Sequence, residues 1–470
     1  MLGFDLTPEQ EELRVKAREF ARKEVLPRAW AWEETDEVPV HVLEKAWEAG
    51  IMSTDIPTQY GGKGYGLIES AILTEELAAA CPGLATSIFD SSLGMAPLQM
   101  CENEPLRQRI FTEAASRFTL IAFATSEPSM GSDVAGMHCR ARKEGDGYVL
   151  NGTKFWITNG GIAKYFTIFA TTDPKDKHGG IGAFLVERDM PGVSTSPPIP
   201  KLGQRTSNTA GVRLKDVYVP MANVLAEPGK GFLLAMKTFS VTRPIIGSFA
   251  VGAARSAMEF ALDYARKRHA FGAKLGDFQA IQFKIAEMYQ KVETARLLTW
   301  KAAWEAMQGK DATVTASIAK MYATEAGQEV VDMAVQIFGG YGYTRFFPIE
   351  KFFRDSRLFR IYEGTSEIQR VIVAGYVLAG YKPVMPPLED LPMLKDKEAA
   401  EKLANGESPG AWRCPVCGYI HYGPEPPEEC PYCYMPRAAF REMKPLPEPG
   451  SGQIEPPPRE KPPKEKPEAS

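Results

Sequence analysis

The sequence predicts a multidomain α+β protein with an N-terminal helical domain, a middle β domain, a C-terminal four-helix bundle and a small module built on four cysteines. Three observations predict it. The chain is 470 residues long, 44% hydrophobic and 24% charged, too long for one ordinary domain and apolar enough to bury several cores. Its texture turns from helical to β-rich and back. Four of its seven cysteines, Cys414, Cys417, Cys430 and Cys433, fall in one short stretch, whereas Cys81, Cys101 and Cys139 are scattered and read as reduced, buried hydrophobes.

Residues 1–120 read as helical. Thr7, Pro8 and Gln10 form a capping-box start, followed by Leu13, Ala17, Phe20, Ala21 and Val25 at helical spacing. Residues 121–230 read as a β domain, because GYVLNGTKFWITNGG, GGIGAFLVERDMPGV and TAGVRLKDVYVPMANVL are short β-rich runs broken by Gly, Asn and Pro. Residues 231–381 return to long amphipathic helices, as in SAMEFALDYARKR and TVTASIAKMYATEAGQEVVDMAVQIFGG, at lengths that suit a bundle. A Pro- and Lys/Glu-rich linker with one short helix is expected over 382–410, the cysteine module over 411–442, and an extended, mobile tail over 443–470.

The formal net charge of -4 gives no overall attraction to nucleic acid or to an anionic membrane. No uninterrupted apolar run reads as long enough to cross a bilayer, and the N-terminal stretch lacks a signal-peptide layout, so a cytoplasmic protein is expected. GGKGYG at 61–66 and GGYGY at 339–343 lack the strand–Gly–helix setting of a nicotinamide fold and read as turns. The five histidines, His41, His138, His178, His269 and His421, are dispersed, which argues against a His-rich metal site or a Ser/His hydrolase.

The candidate chemistry begins at IYEGTSEIQR, where Glu363 stands between Tyr362 and Gly364 near the end of the helical region. A carboxylate projecting from a turn into an apolar enclosure has a raised pKa, which suits removal of a weakly acidic proton beside a carbonyl. On its own, such a glutamate is more often a partly solvated surface or capping residue.

The strings EPSMGSDVAG, FWITNGG, TRPIIGSFAVG, KRHAFG, DFQAIQF, QIFGGYGY and IYEGTSEIQR occur in an order that resembles the acyl-CoA dehydrogenase family, its medium-chain branch in particular, over about residues 4–380. The resemblance implies FAD as cofactor and α,β-dehydrogenation of an acyl-CoA, with Glu363 taking the pro-R α-proton and the β-hydrogen leaving as hydride. It makes the backbone N–H of Glu363 one stabiliser of the charge that develops on the thioester oxygen. Other branches carry the base near TRPIIG, but Thr242 and Arg243 stand there and no acid does. For the flavin it implies a loop from Phe123 to Ser132, with Thr125 and Ser126 near the ring and Ser132 near the pyrophosphate, and Trp156 and Thr158 on the ring's other side. It gives Arg268, Phe271, Phe278, Gln279, Gln336, Gly339 and Gly340 to the flavin of a neighbouring subunit, places Thr365 and Glu367 at the adenosine end, and so implies a homotetramer. Ser132, Thr242, Arg243, Tyr362 and Gly364 are implied beside the acyl-CoA. Phe123 in place of a usual Tyr and Ala270 in place of a common Thr each remove a hydroxyl from that pattern.

Two Cys-x-x-Cys knuckles in WRCPVCGYIHYGPEPPEECPYCYMPRAAF supply four thiolates, which select iron or zinc. The spacing alone favours structural zinc. The string resembles the rubredoxin-like domain of rubrerythrins, which implies iron on Cys414, Cys417, Cys430 and Cys433, with Tyr434 standing where classical rubredoxins carry Gly. A one-electron carrier fused to a flavin enzyme suggests an exit for electrons through iron, beside or instead of a soluble electron-transferring flavoprotein or other redox acceptor.

By the same analogy LATSIFDSSLG lines the acyl pocket, where Asp90 is either hydrogen-bonded structure or a group that favours a short, cyclic or polar acyl chain. Two rival functions remain open at this level. One is a flavin-dependent oxidase or monooxygenase of the same superfamily, which the retained Glu363 disfavours. The other is a binding protein with a structural zinc module, which the acidic balance disfavours where the partner is DNA.

Overall fold

The computed structural model describes residues 5–382, 384, 411–416, 420–422, 425–431 and 435–442. The capping box forms where the sequence sets it: the Gln10 N–H donates to the Thr7 hydroxyl at 3.2 Å, and the Thr7 N–H donates to the Gln10 side-chain oxygen at 3.1 Å. It opens α1 (Pro8–Phe20), which buries Leu13 and Ala17 and runs on through a π-turn over Ala21–Val25. Helices α2 (Ala29–Thr35), α3 (Val40–Glu48), α4 (Leu67–Ala80), α5 (Pro82–Met100) and α6 (Glu104–Ser116) complete the N-terminal layer.

Eight strands follow: β1 (Ile121–Ala124), β2 (Arg140–Lys143), β3 (Gly147–Thr158), β4 (Tyr165–Thr171), β5 (Ile181–Glu187), β6 (Val193–Thr195), β7 (Thr209–Pro220) and β8 (Val224–Ala226). They form one sheet in the order β6-β7-β3-β2-β4-β5-β8, with β1 laid parallel on β4 so that Ile121 faces Tyr165. The β3–β7 ladder shifts register between Lys154 and Ile157, and within that bulge Trp156 takes a left-handed φ of 64°.

The C-terminal layer is α7 (Gly231–Lys267), a hairpin of β9 (His269–Ala270) and β10 (Ala273–Lys274), α8 (Gln279–Met307), α9 (Thr313–Phe338), α10 (Ile349–Ser356) and α11 (Ser366–Ala379). By length and mean hydropathy α7 is apolar enough to cross a bilayer, although Lys237, Arg243 and Arg255 interrupt its apolar residues. Its apolar stretch is 78% buried inside the protein, so it is spent as the bundle's core helix. Gly252 lets it approach α4 at backbone distance, since a Cβ there would lie 2.2 Å from the Glu75 carbonyl oxygen. Around that crossing Glu75 and Glu76 of α4 pair with Arg255 of α7, Arg296 of α8 and Arg18 of α1, so the ions on α4 stay buried and compensated.

The second unit spans Tyr381–Ser470. In it β11 (Ala411–Arg413) pairs antiparallel with β12 (Ile420–Tyr422) and with β13 (Arg441–Glu442). Cys414, Cys430 and Phe440 are buried together, with Trp412 and Met435 packed against them. Cys417 and Cys433, the expected linker helix and the tail from 443 lie outside the described residues.

Within the sheet, Lys154 on β3 is fully buried and donates to Glu127 Oε1 at 2.7 Å and to the Thr125 carbonyl at 2.9 Å. Glu127 also accepts from the His138 and Cys139 N–H groups at 2.7 and 2.9 Å, so one ion pair fixes the loop that leaves β1. Lys154→Ala strands that buried carboxylate, and we expect a loss of about 3–5 kcal/mol. A marked fall in the thermal unfolding midpoint checks it.

Candidate active site

Glu363 sits in the turn between α10 and α11, with φ of 55°, and Gly364 follows with φ of 86°. Two successive left-handed residues form a strained turn that persists only where its surroundings hold it. Three side chains do so. Gln369 Nε2 donates to the Gly364 carbonyl at 2.9 Å and to the Glu363 carbonyl at 3.3 Å, Lys320 Nζ donates to the Gly364 carbonyl at 2.7 Å, and Thr365 caps α11 by accepting from the Ile368 N–H at 3.2 Å. These bonds use the turn's carbonyls and leave the Glu363 N–H out. Thr242 Oγ1 on α7 donates to Glu363 Oε2 at 2.9 Å.

Burial pushes the Glu363 carboxyl above the usual glutamate range, and the Thr242 hydrogen bond, Arg243 and Lys320 pull against it. Arg243 is buried on α7, its guanidinium 5.9 Å from the Phe239 ring centroid, and burial lowers its pKa against the opposing pull of Glu363. Asp90 on α5 is 3% exposed. Burial first, and the charge on Glu363 second, push it well above the ordinary aspartate value, with Asn159 opposing. Asp90 therefore lies within electrostatic reach of both Glu363 and Asn159. Asp90 Oδ2 is buried without a hydrogen-bond partner among the described residues.

The structure brings the expected flavin residues of this chain together on one edge of the sheet. Thr125 and Ser126 follow β1, and the Phe155 N–H donates to the Ser126 carbonyl at 2.9 Å, which sets Trp156 and Thr158 beside them. The Trp156 ring is 57% exposed. A large aromatic on a left-handed bulge, turned out of the core, suits a planar group stacking there. Phe123 differs from expectation: it lies in β1, not in the loop, and packs into the core between Phe169 and Phe239 at centroid distances of 5.4 and 5.7 Å. Ser132 is exposed further along the loop.

A second group gathers on the outside of the chain. Phe271 is 98% exposed and packs edge-on to Phe278 at 6.3 Å, and the Arg268 guanidinium lies 5.8 Å from the Tyr341 ring, beside Gly339 and Gly340 at the end of α9. Gln279 and Gln336 are exposed there as well, and Glu367 lies in the exposed first turn of α11. Most of these side chains open to solvent instead of being enclosed with Glu363, in keeping with residues offered to a neighbour. Tyr362, just before Glu363, has a buried hydroxyl without a hydrogen-bond partner among the described residues, and burial raises its pKa.

Sequence reasoning missed Glu127, Lys154, Asn159, Lys320 and Gln369. Lys154 and Lys320 carried a signal, each being a cation at a position that strand or helix periodicity assigns to the core. Asp90 Oδ2, Asn159 Oδ1, Arg243 Nε and Tyr362 Oη are all buried polar atoms without partners among the described residues, a concentration native proteins avoid except where a ligand completes them. A flavin and an acyl thioester, both rich in hydrogen-bonding atoms, fit that set.

The fold and this site define an oxidoreductase. "Acyl-CoA dehydrogenase, N-terminal domain" matches residues 7–117, the middle domain of that family residues 122–217 and its C-terminal domain residues 229–378, so the chain belongs to the acyl-CoA dehydrogenase family. "Rubrerythrin, rubredoxin-like domain" matches residues 412–441. The chain is 39% identical to the probable acyl-CoA dehydrogenase YngJ of Bacillus subtilis (strain 168), over 80% of its own length and 100% of that protein. It is 39% identical to the mitochondrial short-chain specific acyl-CoA dehydrogenase of Rattus norvegicus, over 81% and 92% of the two chains. Its structure is similar to that of butyryl-CoA dehydrogenase from Megasphaera elsdenii, with TM-score 0.78, 34% identity and coverage of 80% and 100%.

A Cβ on Gly364 would stand 2.6 Å from Gln369 Nε2, in a conformation L side chains rarely adopt. Gly364→Ala should therefore cost at least about tenfold in kcat/KM while the protein stays folded. Steady-state kinetics beside circular dichroism checks it.

Proposed function

We propose that the protein oxidises an acyl-CoA thioester to the trans-2-enoyl-CoA, with Glu363 as the catalytic base. The observation that carries this is the Glu363 carboxyl, half-buried at a strained turn, hydrogen-bonded by Thr242 and flanked by Arg243 and Lys320. Glu363 takes the pro-R α-hydrogen as a proton, the electron pair left on the α-carbon becomes the new double bond, and the β-hydrogen departs with its pair. FAD, which Thr125, Ser126, Ser132, Trp156 and Thr158 would hold, would supply the acceptor for that hydride. The Glu363 N–H, left out of the bonds that pin the turn, is placed to stabilise the enolate-like thioester oxygen. A carboxyl raised by burial binds the proton more readily than an ordinary glutamate.

The acyl group on this reading is short, cyclic or polar. Asp90, buried and within electrostatic reach of Glu363, disfavours a long saturated chain, and the relatives named for short-chain and butyryl substrates support the same size. The homotetramer is supported by the outward aromatic side chains, Phe271 above all, which need a neighbour to cover them. A cytoplasmic location fits the three buried free thiols Cys81, Cys101 and Cys139.

For the second unit the proposal is iron on Cys414, Cys417, Cys430 and Cys433, supported by the rubredoxin-like match and by the shared burial of Cys414 and Cys430. Iron would supply one-electron chemistry, and its fusion to a flavin enzyme supports a route for reoxidation beside a soluble electron-transferring flavoprotein.

Glu363→Gln keeps the shape of the side chain and removes the base, so substrate-driven flavin bleaching should fall by about 10²-fold or more. Undiminished oxidation of every thioester tried sinks the assignment. The second measurement is anaerobic mixing of the purified protein with a panel of acyl-CoAs in a stopped-flow spectrometer. Short or cyclic thioesters should bleach the flavin faster than palmitoyl-CoA, and an iron band should bleach after the flavin. An iron band that stays oxidised while the flavin is reduced rules out the exit, and the absence of visible iron points to zinc.

A further inference from the structure

Lys320 lies on α9 among Ala316, Ala319 and Ala323, all fully buried, on the face that packs into the protein. An ammonium at such a position costs free energy unless a partner compensates it. Its Nζ donates to the Gly364 carbonyl at 2.7 Å, one residue beyond the base. That carbonyl also accepts from Gln369 at 2.9 Å, so it is clamped from α9 on one side and from α11 on the other. The clamp holds the pair of left-handed residues at 55° and 86° that aims the Glu363 side chain toward Thr242.

We propose that Lys320 is a positioning residue for the base: its ammonium fixes the Gly364 carbonyl, and with it the direction of Glu363, while placing a positive charge beside the carboxylate. This rests on the reading of Glu363 as base and adds a residue that touches neither substrate nor cofactor. The charged groups around Lys320 come from every element packed on it. Glu363 in the turn, Glu367 on α11 and Glu325 on α9 itself hold its proton on, Arg243 on α7 drives it off, and burial, the largest influence, brings the ammonium down to about 7. Glu363 in turn faces Thr242 and Arg243 on α7, Lys320 on α9 and Asp90 on α5. The charge on Lys320 is thus present at acid pH and is lost as the pH rises through about 7. Removing a cation from beside a carboxylate raises the carboxylate's pKa, so the acid limb of the rate profile must move to higher pH.

The test uses the flavin-loaded full chain and compares kcat, KM and the pH profile of wild type, Lys320→Met and Lys320→Gln on one acyl-CoA that the wild type turns over. Lys320→Met loses both donor and charge. It should lower kcat by about tenfold or more with KM nearly unchanged, and move the acid limb up by about one pH unit. Lys320→Gln keeps a donor for the Gly364 carbonyl, so it should recover much of kcat yet still show the displaced limb, and it serves alone if Lys320→Met does not fold. An acid limb that coincides with wild type in whichever variants fold overturns the proposal, even where kcat falls, because that loss is packing alone. A wild type without a Glu363-dependent acid limb overturns the functional reading itself.

Discussion

A carboxylate drawn out of water at the end of a left-handed turn is costly twice, once in solvation and once in backbone strain, and most of the buried chemistry of the main unit answers to those two costs. Solvation is offset by Thr242, Arg243 and Lys320, which favour the charged form from two different helices. Strain is offset by Gln369 and Lys320, which hold the carbonyls on either side of the bend. Lys320 serves both. The compensation is partial, since the carboxyl still sits above the usual range. On the proposed role of Glu363, a base that kept an ordinary pKa would bind the substrate proton less readily, so the incomplete compensation suits that role.

The same turn must also be registered against the β domain, and a second buried network does this. Lys351 and Asp355 on α10 form a fully buried ion pair, with Glu33 of α2 at 3.6 Å from Lys351 and Arg354 at 2.7 Å from Glu33. Asp355 accepts from the Gln204 N–H, Gln204 Nε2 donates to the Asp355 carbonyl at 3.1 Å, and Thr86 Oγ1 of α5 donates to Gln204 at 3.0 Å. All three layers thereby meet a few residues before Tyr362. Buried pairs of this kind add little net stability against apolar replacements of the same volume, so what they contribute here is alignment. A slip of α10 would break bonds to two other layers before it moved the base.

Much of this was legible in the residues. The capping box at Thr7, the change to β-rich texture, the long amphipathic helices and the cysteine knuckles each rest on local chemistry, and Glu363 stood out once its neighbours were read in order. What stayed hidden depends on where buried faces meet. The apolar length of α7 passes for a membrane span until its burial against α4, α8 and α9 is known. Phe123 read as part of a loop because β1 is only four residues long and leaves little periodic signal. Lys154 and Lys320 broke the apolar pattern of their own elements, but a pattern break names no partner, and Glu127 and Gly364 are distant in sequence. Partnership of that sort is decided by packing.

Asp90 and Glu363 show how far the electrostatics reach toward substrate choice. Two carboxyl groups in one poorly solvated enclosure do not both ionise easily, and the charge on Glu363 raises the pKa of Asp90. The cations lie nearer Glu363: Arg243 and Lys320 both act on it, whereas burial of Asp90 is opposed by Asn159 and by no cation among the described residues. Of the two, Glu363 is therefore the carboxyl whose charged form its surroundings favour more. A neutral carboxyl with an unsatisfied oxygen is a hydrogen-bond donor and acceptor at once. Against a methylene chain that capacity is wasted and the group remains a desolvated liability. Against an acyl group carrying a polar atom, or one too short to reach it and leaving room for water, the liability is removed. Placing Asp90 near Glu363 thus couples the two carboxyls, and on the proposed function it favours a polar or short acyl group.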